Sequence, residues 1–82
     1  MKIVRISAIW CSSCIIMKSR LNEILKDKDI EVVDLDCDTD EIEEYNVGDI
    51  LPVIIKLNDN KEIDRLVGEH SKKEIESFIG EV

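Results

Sequence analysis

Positive charge is scarce in this 82-residue sequence: 11 lysines and arginines stand against 19 aspartates and glutamates, a formal net charge of −8. Such a balance repels phosphate backbones and anionic lipid surfaces alike, so neither nucleic acid nor a membrane is an expected partner. Cysteine is sparse as well. Three thiols do not make a disulfide framework, and in a reducing compartment a Cys-x-x-Cys pair points to catalysis or metal binding instead. Long apolar runs are also missing. Met1-Lys2 opens as a secretory leader would, yet Arg5 interrupts the run after two residues and no small-residue cleavage site follows. The expectation is a chain that starts at Met1 and stays in the cytoplasm. There is no repeat, low-complexity tract or linker. A chain this short buries only about 60–65% of its unfolded surface, so residues 1–82 are expected to form a single domain and to act as a monomer.

What is present centres on Trp10-Cys11-Ser12-Ser13-Cys14, where the hydrophobic pattern changes period. Before it, Ile3 to Ile9 alternate like a strand. After it, Met17, Leu21, Ile24 and Leu25 recur at three- and four-residue spacing, the stripe of an amphipathic helix. In order, the chain reads strand 2–9, helix 11–26, strand 31–36, short helix 39–45, strand 52–57, strand 62–67 and helix 71–79. This α/β order, β-α-β-α-β-β-α, makes the first two strands parallel. Leu57-Asn58-Asp59-Asn60-Lys61 has the chemistry of a tight turn and makes the last two strands an antiparallel hairpin. Ser71-Lys72-Lys73-Glu74 is a capping box for the last helix, whose core face is Ile75, Phe78 and Ile79.

The spacing of the thiols permits dithiol–disulfide exchange. At a strand-to-helix junction Cys11 lies beside the unpaired N–H groups of the first turn, where the helix dipole favours a thiolate. Cys14, one turn on, reaches the same sulfur and can displace a mixed disulfide formed by Cys11. Trp10 is expected to pack beside the motif as a flat apolar shoulder, its indole N–H fixing the loop. The hydroxyls of Ser12 and Ser13 are expected to donate to a thiolate, making the disulfide easier to reduce. Other readings stand beside these. Cys37 and His70 could complete a Cys3His zinc site with the pair; otherwise Cys37 is a small apolar residue in parity with Val33 and Leu35, and His70 a solvated loop histidine. Ile15-Ile16-Met17 is expected to go mostly to the core. The acidic run from Asp34 to Glu41 lacks the glycine and spacing of a calcium loop and reads as a solvated edge. No metal or cofactor is expected beyond the Cys11–Cys14 disulfide itself.

Together these features resemble the thioredoxin-like family, whose members carry Trp-Cys-x-x-Cys at the end of a central strand. Tyr45-Asn46-Val47-Gly48-Asp49-Ile50-Leu51-Pro52-Val53-Ile54-Ile55 is similar to the family segment in which a cis-proline opens a strand beside the active site. Asp59-Asn60 with Leu66-Val67-Gly68 is similar to its closing hairpin. The resemblance covers nearly the whole chain. It implies a four-stranded mixed sheet with helices packed on it, and a thiol–disulfide oxidoreductase with Cys11 and Cys14 as its redox pair. It also implies Leu51 and Pro52 as the grip on a substrate chain, protein disulfides as substrates, and a reductase as electron donor. The leading strand and helix of a full-length thioredoxin are missing, so the element order is closer to a glutaredoxin. However, the glutaredoxin Thr-Val-Pro and Gly-Gly for glutathione are absent. Two serines replace the usual glycine and proline between the cysteines. Thioredoxins also usually carry a buried aspartate where this chain has Arg5, and a lysine where it has Asp34, a pair with exchanged signs. Either that pair is functional, a cation favouring the Cys14 thiolate, or the sheet face shared by Arg5, Ser7, Asp34, Asp36, Lys56 and Asn58 is wet because the leading helix is missing. The alternative function is a redox-inert or metal-holding module on the same fold.

Overall fold

The computed structural model describes residues 1–80. β1 (Lys2–Ser7), α1 (Ser12–Leu25), β2 (Glu31–Asp36), β3 (Val53–Asn58), β4 (Lys61–Val67) and α2 (Lys72–Ile79) follow one another, with a single 3-10 turn at Glu43–Tyr45. The four strands form one mixed sheet in the order β2-β1-β3-β4. β1 runs parallel to β2, with Ile3 opposite Val32 and Arg5 opposite Asp34. It runs antiparallel to β3, and β3 to β4. With a strand on each side and side chains packed above and below, β1 is buried without a break from Ile3 to Ile6, Arg5 included, the burial of a doubly covered central strand.

Several expected boundaries move, each for a physical reason. β1 stops at Ser7 rather than at residue 9, because its neighbours stop there: Asp36 ends β2 opposite Ser7, and Val53 begins β3 opposite Ile6. Ile9 then turns into solvent, 87% exposed, and Cys11 N–H closes the turn on Ala8 O at 3.2 Å. The helix expected over 39–45 shrinks to the 3-10 turn. Only Tyr45 N–H on Ile42 O at 3.0 Å and Asn46 N–H on Glu43 O at 3.2 Å form the turn, and Asn46, left-handed at φ 52°, ends it. In α1 the buried stripe is Cys14, Met17, Leu21 and Leu25. Ile15 and Ile16, expected mostly in the core, stay 65% and 41% exposed, since successive residues turn ~100° away from the stripe. The hairpin turn places Asp59 and Asn60 both at positive φ, 53° and 65°, the conformation its Asp-Asn pair suits. Ser71 caps α2 reciprocally with Glu74.

Each face of the sheet carries its own core. Ile3 and Ile54 pack with Met17, Leu21 and Leu25 of α1 and with Ile75, Phe78 and Ile79 of α2. On the other face Val4, Ile6, Val53, Ile55 and Leu57 are buried beneath Ile42, Tyr45, Val47 and Leu51 of the β2–β3 connection. The alternative of a wet polar face fails at Arg5. Arg5 shares the helix-covered face with Ile3 and Ile54 and is only 7% exposed. On the same face Lys56 donates to Phe78 O at 2.5 Å and sits 5.1 Å from the Phe78 ring centre. The helices cover this face, and each of these cations has a partner under them.

Candidate active site

The motif sits where β1 runs out and α1 begins. Cys11 is the N-cap of α1, with extended backbone, and its Sγ accepts the N–H of Cys14 at 3.2 Å. Cys11 as a residue is partly exposed. On its outer side the thiol donates to Leu51 O at 3.9 Å, and Leu51 precedes Pro52 through a cis peptide bond immediately before β3. Strand order explains the meeting: β3 lies directly beside β1, so its first residues end level with the motif. Cys14, one turn into α1, is 4% exposed. All three cysteines are free thiols.

Burial, with the hydrogen bond and charge of the Cys11 sulfur beside it, pushes the Cys14 thiol up from 9.0 to about 11, against one backbone hydrogen bond from Ala8 that pulls it down. Cys37, at the edge of the second core cluster, is also raised, by burial first and then by the carboxylate of Asp38. It behaves as the small apolar residue expected, in line with Val33 and Leu35.

The supporting residues fare differently. Trp10 is 66% exposed, and its indole N–H donates to Asp38 Oδ2 at 2.7 Å, so the shoulder is apolar and tethered. Among the described residues the hydroxyls of Ser12 and Ser13 donate to neither sulfur; the donor on Cys11 is the Cys14 backbone. Arg5 and Asp34 do pair. The guanidinium makes two bonds to the carboxylate, Nε to Oδ1 at 2.7 Å and an Nη to Oδ2 at 2.9 Å, and a third to Asn22 Oδ1 at 2.7 Å. Arg5, Asp34 and Cys14 line one cavity of about 10 Å³. The guanidinium, bound to a carboxylate in bidentate fashion, offers no isolated positive charge there. Arg5 instead holds the Asp34 carboxyl below its usual range.

The alternative zinc set of Cys11, Cys14, Cys37 and His70 does not assemble either. Among the described residues, ligand atoms come together only from Asp36, Cys37 and Asp38, within 4.8 Å of one another. His70 is half-buried, with its ring between Glu74 Oε2 (3.2 Å) and Val67 O (3.0 Å). Its backbone N–H donates to Met17 Sδ, and Arg20 donates to its carbonyl. The loop strapped in this way locks α1 against the start of α2. Two contributors, Asn22 and Asp38, had no signal in the sequence: each reaches its partner across the fold.

The sequence profile of the thioredoxin family matches residues 1–81. The chain belongs to the thioredoxin family. Among solved structures, thioredoxin 1 from Thermosipho africanus is 27% identical, with a TM-score of 0.79 over 96% of this chain and 90% of that one. Trxlp from Edwardsiella tarda, at 21% identity, superposes with a TM-score of 0.89 over 98% and 82%. A mutant thioredoxin from Halobacterium salinarum does so at 19% and 0.84, over 95% and 70%. The last two establish the fold. Thioredoxin membership with this fold supports a general role in thiol–disulfide oxidoreduction. Among the described residues no helix is long and apolar enough to cross a membrane.

Proposed function

We propose that Cys11 and Cys14 form a redox-active dithiol that exchanges disulfides with protein substrates in the cytoplasm and is recharged by a separate reductase. The observation that carries this reading is the N-cap position of a partly exposed Cys11, its sulfur receiving the Cys14 N–H at 3.2 Å with the buried Cys14 one turn behind. An N–H aimed at sulfur is a stronger bond to an anion than to a thiol. The Cys11 thiolate attacks one sulfur of the substrate disulfide, forming a mixed disulfide and expelling the first substrate thiolate. Cys14, deprotonated, then attacks Cys11 Sγ, expels the second substrate thiolate and closes the Cys11–Cys14 bond. Two electrons pass to the substrate, and the reductase's dithiol returns them.

The elevation of Cys14 fits its turn in the sequence. While Cys11 is an anion, burial and that neighbouring charge keep Cys14 protonated. Once Cys11 is bonded to substrate its negative charge is gone, and Cys14 becomes easier to ionise when its attack is due. Leu51 offers backbone to an extended substrate chain beside Cys11, with its carbonyl already 3.9 Å from the sulfur.

The test is a pair of variants assayed for insulin reduction with dithiothreitol, with metal content measured alongside. Cys11→Ser should abolish turnover. Cys14→Ser should accumulate a mixed disulfide with substrate, visible as a mass adduct. An adduct on Cys11→Ser but not on Cys14→Ser reverses the roles, and an inactive wild type that carries metal favours a metal-holding module instead.

A further inference from the structure

The charge of this protein is concentrated at one place. From Asp36 to Asp49 the sequence holds seven of the 19 acidic residues and none of the 11 basic ones, which leaves 12 against 11 elsewhere. Topology decides where that stretch must lie. β2 and β3 flank β1 on opposite sides, so the chain joining them has to cross the end of β1 where the motif begins. It leaves β2 with Cys37 N–H on Ser7 O at 2.8 Å and arrives at Leu51, against Cys11. Ile42, Tyr45 and Val47 pack down on the sheet, which turns the carboxylates outward. Six of the seven are exposed and Asp36 is half-exposed. None is neutralised: among the described residues every ion pair, from Arg5–Asp34 to Lys72–Glu23, falls outside the stretch.

This acidic border adjoins an apolar surface. Ile9, Trp10, Ile15 and Ile50 are each more than 60% exposed around the motif, and the bond from Trp10 to Asp38 joins the two zones. Beside Cys14 a cavity of about 440 Å³ has Ile9 and Ile15 among its walls together with Asp36 and Asp40, and Lys18 as its one unpaired cation. A lining that combines apolar side chains with carboxylates suits a side chain that has an aliphatic stem and a charged head.

We propose that the disulfides reduced at this site lie in basic segments, with a lysine or arginine a few residues from the substrate cysteine. Its stem lies on the Ile9 and Ile15 surface and its charge faces Asp36 and Asp40, while the rest of the border steers the encounter. This inference rests on the dithiol reading above and names its substrate class.

Three synthetic peptides of one sequence, each with an internal disulfide flanked by Lys, Gln or Glu, test it. Their reduction is followed with dithiothreitol as donor, and the uncatalysed rate is subtracted. At about 10 mM salt the Lys peptide should exceed the Glu peptide by ~10-fold or more in kcat/KM. In about 1 M salt, where the screening length falls to ~3 Å, the ratio should drop to within ~2-fold. Glu41→Gln, Glu43→Gln and Asp49→Asn combined should lower the low-salt ratio by ~3-fold or more. Asp27→Asn, Asp29→Asn and Glu31→Gln, the same change in net charge at the far end of the 14-residue α1 and β2, should not. Equal rates for all three peptides overturn the inference and leave the dithiol reading intact, whereas reduction of none sinks both. A preference that survives high salt, or that the distant triple variant removes equally, overturns the placement of the charge at the border.

Discussion

The two faces of the sheet are sealed in opposite ways. One carries two regular helices over an apolar layer that contains a buried arginine, each of its guanidinium nitrogens hydrogen-bonded. The other carries the irregular connection from Cys37 to Pro52, which buries only apolar side chains and sends its charges outward. Cys14 belongs to the first, as part of the α1 stripe, whereas the carbonyl facing Cys11 comes from the second. The difference shows how one site combines a fixed element with an adaptable one: packed helix positions the inner sulfur, and loop builds the surface around the outer one.

The sharpest way to break that contrast is in the cores. Leu21→Ala, at a fully buried position under α1, should cost about 3–4 kcal/mol. Ile42→Ala, half-buried in the connection, should cost about 1 kcal/mol, because fewer contacts are lost and the loop can settle. Urea unfolding at constant m separates them; equal losses would mean the connection is as tightly packed as the helices.

A smaller effect concerns the buried charge. Asp34→Ala strands the Arg5 guanidinium and should cost about 2 kcal/mol, discounted from a fully buried pair because the Asp34 side chain is 49% exposed. Arg5→Met removes the charge but keeps the stem, and should stay within about 1 kcal/mol of wild type. The penalty in Asp34→Ala should also depend on pH. Hydrogen bonds from Arg5 depress the folded-state value of Asp34 below its unfolded value, so its stabilisation is complete above the unfolded value of about 4 and fades as pH falls through the lower folded one. Unfolding midpoints for the two proteins should therefore converge in acid. A gap that stays constant down to the acid limit would show that the carboxylate acts by packing alone. Smallest is Gly68→Ala. Gly68 sits at φ +84°, and an added Cβ would meet Ile50 of the connection at 3.3 Å, so a loss of about 1 kcal/mol is expected. Thermal unfolding unchanged by this substitution would mean the connection yields freely there.

Local signals were read correctly where local chemistry decides the structure. The change from two-residue to helical period placed the strand, the motif and the helix. Asp59-Asn60 specified a hairpin because both residues tolerate positive φ, and Ser71 with Glu74 specified a helix start because each satisfies the other's backbone. The acidic stretch was misjudged as a helix, because Asn46 in the left-handed region ends it after a single 3-10 turn. Even that failure is local in origin.

By itself the sequence determined the four strands and both α-helices, the order in which they come and the placing of two thiols one turn apart at a helix start, since these depend on neighbours within a few residues. Only the tertiary structure decided what crosses between segments. Pairing with β2 and β3 ended β1 at Ser7. The register of β1 and β2 put Arg5 opposite Asp34, beneath α1 rather than on a wet face. The crossing of the β2–β3 connection over the end of β1 brought Leu51 to Cys11 and Asp38 to Trp10. Sheet order and register are set by which faces can be buried together, a property of the whole chain that no short window contains.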